Sequence, residues 1–289
     1  MVILHIKKGD GSQFLYETTC QAKLSELIPE LIEIYNGRLK IERLNYELEE
    51  LGKHGITLPP NMQGLTEDQI NDLKLHDSWA EKCVPSGGVR EVKDPMSKRN
   101  GQAPLENMIK MVNRTRSEAM ADISKENVTA KRCLTQATIK DALDKLRGAV
   151  MIVYPMGLPP HDPIKQEFED TEDLSGTQAS LQVLDNKTGQ LWWAGKELLR
   201  AKKLEDYIGK NEKTKIVAKL QKKGQGVPSR EPVFTEEDKK HMMSYAYKKQ
   251  EEMKKLETDD DVSYMNSSWA DTQSLKRQFQ GVRDVKWRP

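Results

Sequence analysis

Cysteine is scarce in this chain of 289 residues. Cys20, Cys83 and Cys133 are odd in number, far apart, and form no CxxC pair. That spacing excludes a zinc knuckle or a disulfide framework, and free thiols suit a reducing compartment. The histidines, His5, His54, His76, His161 and His241, never recur with another His or Cys at i+3 or i+4. A helical metal pair is thereby excluded, and no cofactor is expected. A charge surplus is missing too: 46 Lys and Arg against 45 Asp and Glu leave +1. Overall charge therefore gives no reason to expect nucleic acid or an anionic membrane as a partner. No apolar run approaches the ~20 residues a bilayer span needs, so no membrane insertion is expected. The opening MVILHIKKGDG lacks the apolar region of a secretory leader. No period of 20–50 residues repeats.

What is present is charge, at 31% of residues, and one conspicuous apolar run, 149–154, AVMIVY. Gly148 precedes the run, and Pro155, Gly157, Pro159, Pro160 and Pro163 follow it. Its β-branched residues and its length predict a buried central strand with a rigid exit. Upstream, 2–7 and 13–19 flank Gly9-Asp10-Gly11-Ser12, which reads as a hairpin. Leu24, Leu27, Ile28, Leu31, Ile32 and Ile34 recur at helical spacing, and Asn36-Gly37 predicts the stop. Leu39, Ile41, Leu44, Leu48 and Leu51 predict a second helix. Thr66-Glu67-Asp68-Gln69 is a capping box, and helices are expected over 105–127 and, capped by Thr135, over 136–146. Further on, a long helix is predicted over 190–208, a basic one over 213–223, a linker at 224–232 and a charged helix over 235–257.

The expected fold is α+β: a ubiquitin-like β-grasp-type N-terminal part, completed by the strand at 149–154, then a mostly helical C-terminal extension. Three parts are expected. They are a core over 1–165 with a helical insertion, an acidic loop followed by Trp-containing and basic helices over 166–232, and a charged helix with an aromatic tail over 233–289.

No catalytic pattern is complete. His161-Asp162 has no nucleophile beside it. GQLWWAGK, 189–196, puts five residues between its glycines where a phosphate loop needs four, and Glu197 follows the lysine. Asp259-Asp260-Asp261 lacks calcium-loop spacing, and nothing marks out two of the carboxylates Glu167, Glu169, Asp170, Glu172 and Asp173. The segment 196–230 is locally basic, with eleven Lys and Arg against four acids. It reads either as a solvated face or as a footprint for an acidic protein. Lys215, Lys219 and Lys222 are its central candidates. Aromatics in polar surroundings, Trp192, Trp193, Trp269, Phe279 and Trp287, are candidate anchors for a partner.

Long strings resemble the Kurly family of cilia- and flagella-associated proteins. Among them are YNGRLK (35–40), LPPNMQGLT (58–66), EKCVPSGG (81–88), DALDKLRGAVMIVYPMGLPPHDP (141–163), EDLSGTQASLQV (172–183), QLWWAGKEL (190–198) and VKWRP (285–289). The resemblance covers nearly the whole chain. It implies a non-enzymatic protein of motile cilia, associated with axonemal dynein arm assembly and with cilium motility and positioning. Dynein arm components and dynein assembly factors or chaperones are the implied partners, with microtubules a further expectation. The implied locations are the cytoplasm, the cilium and the basal body. The runner-up is a stable structural component of the axoneme.

Overall fold

A computed structural model describes residues 1–230 and 236–258, together with 273, 276, 277 and 280. The chain divides into two compact units, Met1–Arg230 and Glu231–Pro289.

The first unit opens with β1 (Val2–Lys8) and β2 (Gly11–Thr18), the expected hairpin, with Gly9 at φ 59° in its turn. The next element is α1 (Leu24–His54), one unbroken helix rather than the two predicted. Asn36-Gly37 does not stop it, because each residue is used for tertiary packing. The Asn36 amide clamps the Leu184 backbone, donating to its carbonyl at 2.7 Å and accepting its N–H at 3.0 Å. A Cβ on Gly37 would lie 2.5 Å from Ile139 Cγ2, so glycine lets another helix press close. The real stop is Gly55 at φ 81°.

After α2 (Glu67–Asp72), with its capping box as expected, come α3 (Ser78–Lys82) and a small antiparallel pair, β3 (Val89–Glu91) and β4 (Gln102–Pro104). Next are α4 (Glu106–Ile123), α5 (Glu126–Thr129) and α6 (Gln136–Val153), the last capped by Thr135. Here the central expectation fails: 149–153 is the end of α6, not a strand. Leu146, Ala149, Val150 and Val153 are buried at helical spacing, while Met151 and Ile152 point to solvent. Six apolar residues are too few to separate strand from helix by content alone.

The chain continues through α7 (Pro163–Phe168), α8 (Gln178–Gln182), β5 (Gly189–Trp193), β6 (Lys196–Glu197), α9 (Glu205–Ile208) and β7 (Lys215–Lys222). Both helices predicted here, 190–208 and 213–223, are overturned. In the first, Ala194 and Gly195, at φ 47° and 76°, turn the chain into a hairpin. In the second, Ile216, Ala218 and Leu220 alternate inward at the period of a strand. The main sheet has the order β2-β1-β7-β5-β6, with β7 parallel to β1 and antiparallel to β5. β7 thus completes the N-terminal sheet in place of 149–154. Val2, Leu4, Ile6, Ile216, Leu220 and Leu191 share one core with Leu27, Leu31, Ile34 and Leu44 of α1 and Ile139 and Leu146 of α6.

In the second unit, α10 (Glu236–Thr258) matches the helix expected over 235–257. Its described side chains are exposed, Met242, Tyr245, Met253 and Leu256 included.

Candidate interaction surface

The sheet brings the first two candidate aromatics beside the candidate lysines. In the β5–β7 ladder Trp192 faces Lys219 and Trp193 faces Ala218. Successive strand residues point to opposite faces, so the two tryptophans part ways. Trp193 lies on the core side with Leu191 and packs against the core. Trp192 lies on the outer face, half-buried, and its indole Nε1 is enclosed without an acceptor among the described residues.

The lysines do not form one row. Lys215 and Lys219 share the outer face, whereas Lys222 falls on the other side at the far end of β7. Lys215 and Lys222 are exposed. Lys219 is only 7% exposed: its Nζ donates to the Ser229 carbonyl at 2.9 Å and lies 3.4 Å from Asp10 Oδ1. Gln221 Nε2 donates to the Gly226 carbonyl, so the segment around 226–229 lies against this face. Trp269, Phe279 and Trp287 fall outside the described residues.

The other patterns resolve into scaffold. Asp162 is fully buried. One oxygen accepts the Ile164 N–H at 3.0 Å, capping α7, and the other accepts the Thr57 N–H at 3.1 Å. His161 Nε2 sits 2.9 Å from the Thr57 carbonyl. The pair thus clamps the stretch after α1 to the exit from α6. Of the acidic run, Glu167 and Glu172 converge on one guanidinium. Arg43 Nε donates to Glu167 at 2.8 Å, and a second Arg43 nitrogen reaches Glu172 at 3.3 Å. Burial pushes the Glu167 carboxyl up to about 7 against the pull of Arg43. Lys40 pairs with Asp170 on the same wall. Lys40, Arg43, Asp170 and Glu172, but not Glu167, border a groove of about 780 Å³ between α1, α6 and the 170–183 segment, lined also by Ala137, Ile139 and Leu143. Among the described residues, no group of three or more His, Cys, Asp or Glu could hold a metal ion. Among them, too, no helix is long and apolar enough to cross a membrane.

Sequence reading missed an exposed apolar edge at the end of α6. Met151, Ile152 and Met156 are 62%, 58% and 78% exposed. The signal was there: helical spacing through 146, 149, 150 and 153 would have turned 151 and 152 outward.

Architecture and surface together define a mixed α+β protein that carries its aromatic hairpin and basic strand at one side of a single sheet. A family model for "Cilia- and flagella-associated protein 298" matches residues 189–285, which span that hairpin, that strand and α10. Over 289 residues, and the whole of both chains, the sequence is 60% identical to Cilia- and flagella-associated protein 298 of Homo sapiens and 59% identical to that of Danio rerio. The Drosophila melanogaster protein of the same name is 49% identical over 288 residues. The chain therefore belongs to the family of cilia- and flagella-associated protein 298, which bears out the resemblance read from its strings at the level of a ciliary and flagellar association. The family carries no enzyme-type name. No solved structure matches the chain.

Proposed function

We propose that this chain is a non-enzymatic interaction factor in axonemal dynein arm assembly, acting in the cytoplasm and at the basal body and cilium, with effects on cilium motility and positioning. Dynein arm components and their assembly factors or chaperones are its partners in this reading. The observation that carries it is a coincidence of spans. The segment matched by the family model, 189–285, is the one that carries Trp192, Trp193, Lys215, Lys222 and the exposed helix α10. A rigid sheet that exposes basic side chains at the two ends of its central strand, with the half-buried Trp192 on its outer face, is suited to docking.

The platform itself we infer to be a ubiquitin-like β-grasp. Hairpin, long helix, second hairpin and a last strand parallel to the first, in the order β2-β1-β7-β5-β6, support that reading. A second reading, a stable axonemal component, is favoured by α10, a helix of 23 residues that buries none of its described side chains by itself.

Replacing the chain in ciliated cells with the Lys215→Glu/Lys222→Glu variant tests the first reading. Both side chains are exposed, so the fold is expected to survive. The expected result is a fall in dynein chains recovered with the protein from cytosol, together with axonemes missing arms. Normal arms and undiminished recovery would overturn a role for this strand in assembly.

A further inference from the structure

The basic residues nearest one end of the main sheet come from four separate stretches. The turn at 185–189 is their meeting point. Lys187 lies on it, and Lys222 pairs with Gly189 in the ladder. The Lys223 N–H donates to the Thr188 carbonyl at 2.8 Å. Arg200 reaches in from beyond β6, one guanidinium nitrogen donating to the carbonyls of Asn186 and Gly189. Lys8, at the end of β1, is held by donating to the Tyr35 hydroxyl at 2.8 Å and the Gln182 carbonyl at 2.7 Å, with Nζ 4.7 Å from the Tyr35 ring centre.

We propose that this end of the sheet, formed by Lys8, Lys187, Arg200, Lys222 and Lys223, binds an acidic peptide segment of a partner protein. Like charges gathered on rigid elements repel one another in the free protein, and an anionic partner relieves that repulsion. The crowding is felt already: burial, and then the charge of Lys222, hold the Lys8 ammonium below its usual range. The turn's own carboxylate, Asp185, is occupied by the backbone N–H of Lys187, and Asp10 lies against Lys219. Among the described residues no carboxylate pairs with Lys187, Lys222 or Lys223.

The layout favours a chain of carboxylates over a single phosphate. Lys222 and Lys223 are neighbours leaving a strand, so their side chains set off toward opposite faces and spread the charge across the sheet edge. It also disfavours nucleic acid. Tyr35, the ring beneath Lys8, is 3% exposed and offers no face on which a base could stack. Sequence alone showed only the part of this cluster within 196–230, because Lys8 and Lys187 join it through the fold.

The site deepens the interaction-factor reading by naming a partner's chemistry. Its test uses only purified full-length chain, so its failure leaves that reading standing on its own experiment. A fluorescent peptide of about ten glutamates is titrated with the chain at about 50 mM and about 200 mM salt, with anisotropy as the readout. The expected result is saturable binding that weakens with salt. It falls about tenfold in Lys222→Glu/Lys223→Glu and in Lys187→Glu, and is unchanged in Lys239→Glu/Lys240→Glu on α10. Unaltered melting curves show that the variants fold. Absence of binding by the parent chain at low salt would overturn the proposal. So would equal weakening by the α10 control, or a single-stranded oligonucleotide of equal length that binds more tightly and displaces the peptide.

Discussion

Gly37 and Gly148 show how much a missing side chain decides in this protein. A methyl group on Gly37 would meet Ile139 Cγ2 at 2.5 Å, where α1 and α6 touch. Gly37→Ala is expected to cost about 1–3 kcal/mol, read as a lower urea midpoint. Pairing it with Ile139→Ala should give a combined loss smaller than the sum, since the clash is then gone. Gly148 sits inside α6, where an added methyl group would meet nothing within 4 Å. Gly148→Ala should therefore stabilise by about 1 kcal/mol and raise the melting temperature. Glu167 adds a dependence on pH. Its carboxyl titrates near 7 when folded, above the 4.5 of an ordinary glutamate, so the folded state holds the extra proton. That contribution is present in full below about 4.5 and is lost as pH rises through about 7. Urea midpoints should fall between about pH 4.5 and 7 and level off above that, and Glu167→Gln should flatten that slope.

At the scale of elements, α10 and α1 stand at opposite extremes. α1 buries Leu27, Leu31, Ile41, Leu44 and Leu48, while α10 leaves Met242, Tyr245, Met253 and Leu256 exposed. A helix without a packed face is held by propensity and by side-chain pairs worth about 0.2–0.5 kcal/mol each. Hydrogen exchange should show the α10 amides exchanging far faster than those in the middle of α1. The elements legible in the sequence were those with a local cause: the β1–β2 hairpin from its Gly-Asp-Gly turn, α2 from its capping box, α6 from its Thr135 cap. The others depended on distant partners. Asn36-Gly37 looks like a stop until Leu184 and Ile139 are known to need it. The run 149–154 looks like a strand until Val150 and Val153 are seen buried one helical turn apart from Leu146 and Ala149. The lysines of β7 hid its alternation, since Lys215, Lys219 and Lys222 also fall at helical intervals. Of the candidate surface, Trp192, Trp193 and the basic strand were visible as residue types. Their division between two faces of a sheet was not, because it follows from the ladder with β1 and β5.

For the whole molecule, the sheet is a fixed platform assembled from both ends of the first unit. β1 and β7 lie side by side, Leu4 beside Ile216, although almost the whole first unit separates them in sequence. Substitutions at either end of that unit should therefore disturb the same sheet. In the function proposed, this platform serves other proteins of the motile cilium before they reach the axoneme. Fractionation of ciliated cells expressing a tagged chain at native level tests that most directly. Cytosol, detergent-soluble ciliary matrix and salt-washed axonemes are probed separately, and the proteins bound in each are identified. The predicted result is recovery mainly from cytosol, together with dynein chains and assembly factors. Retention in washed axonemes at a fixed ratio to tubulin, with little in cytosol, would contradict it.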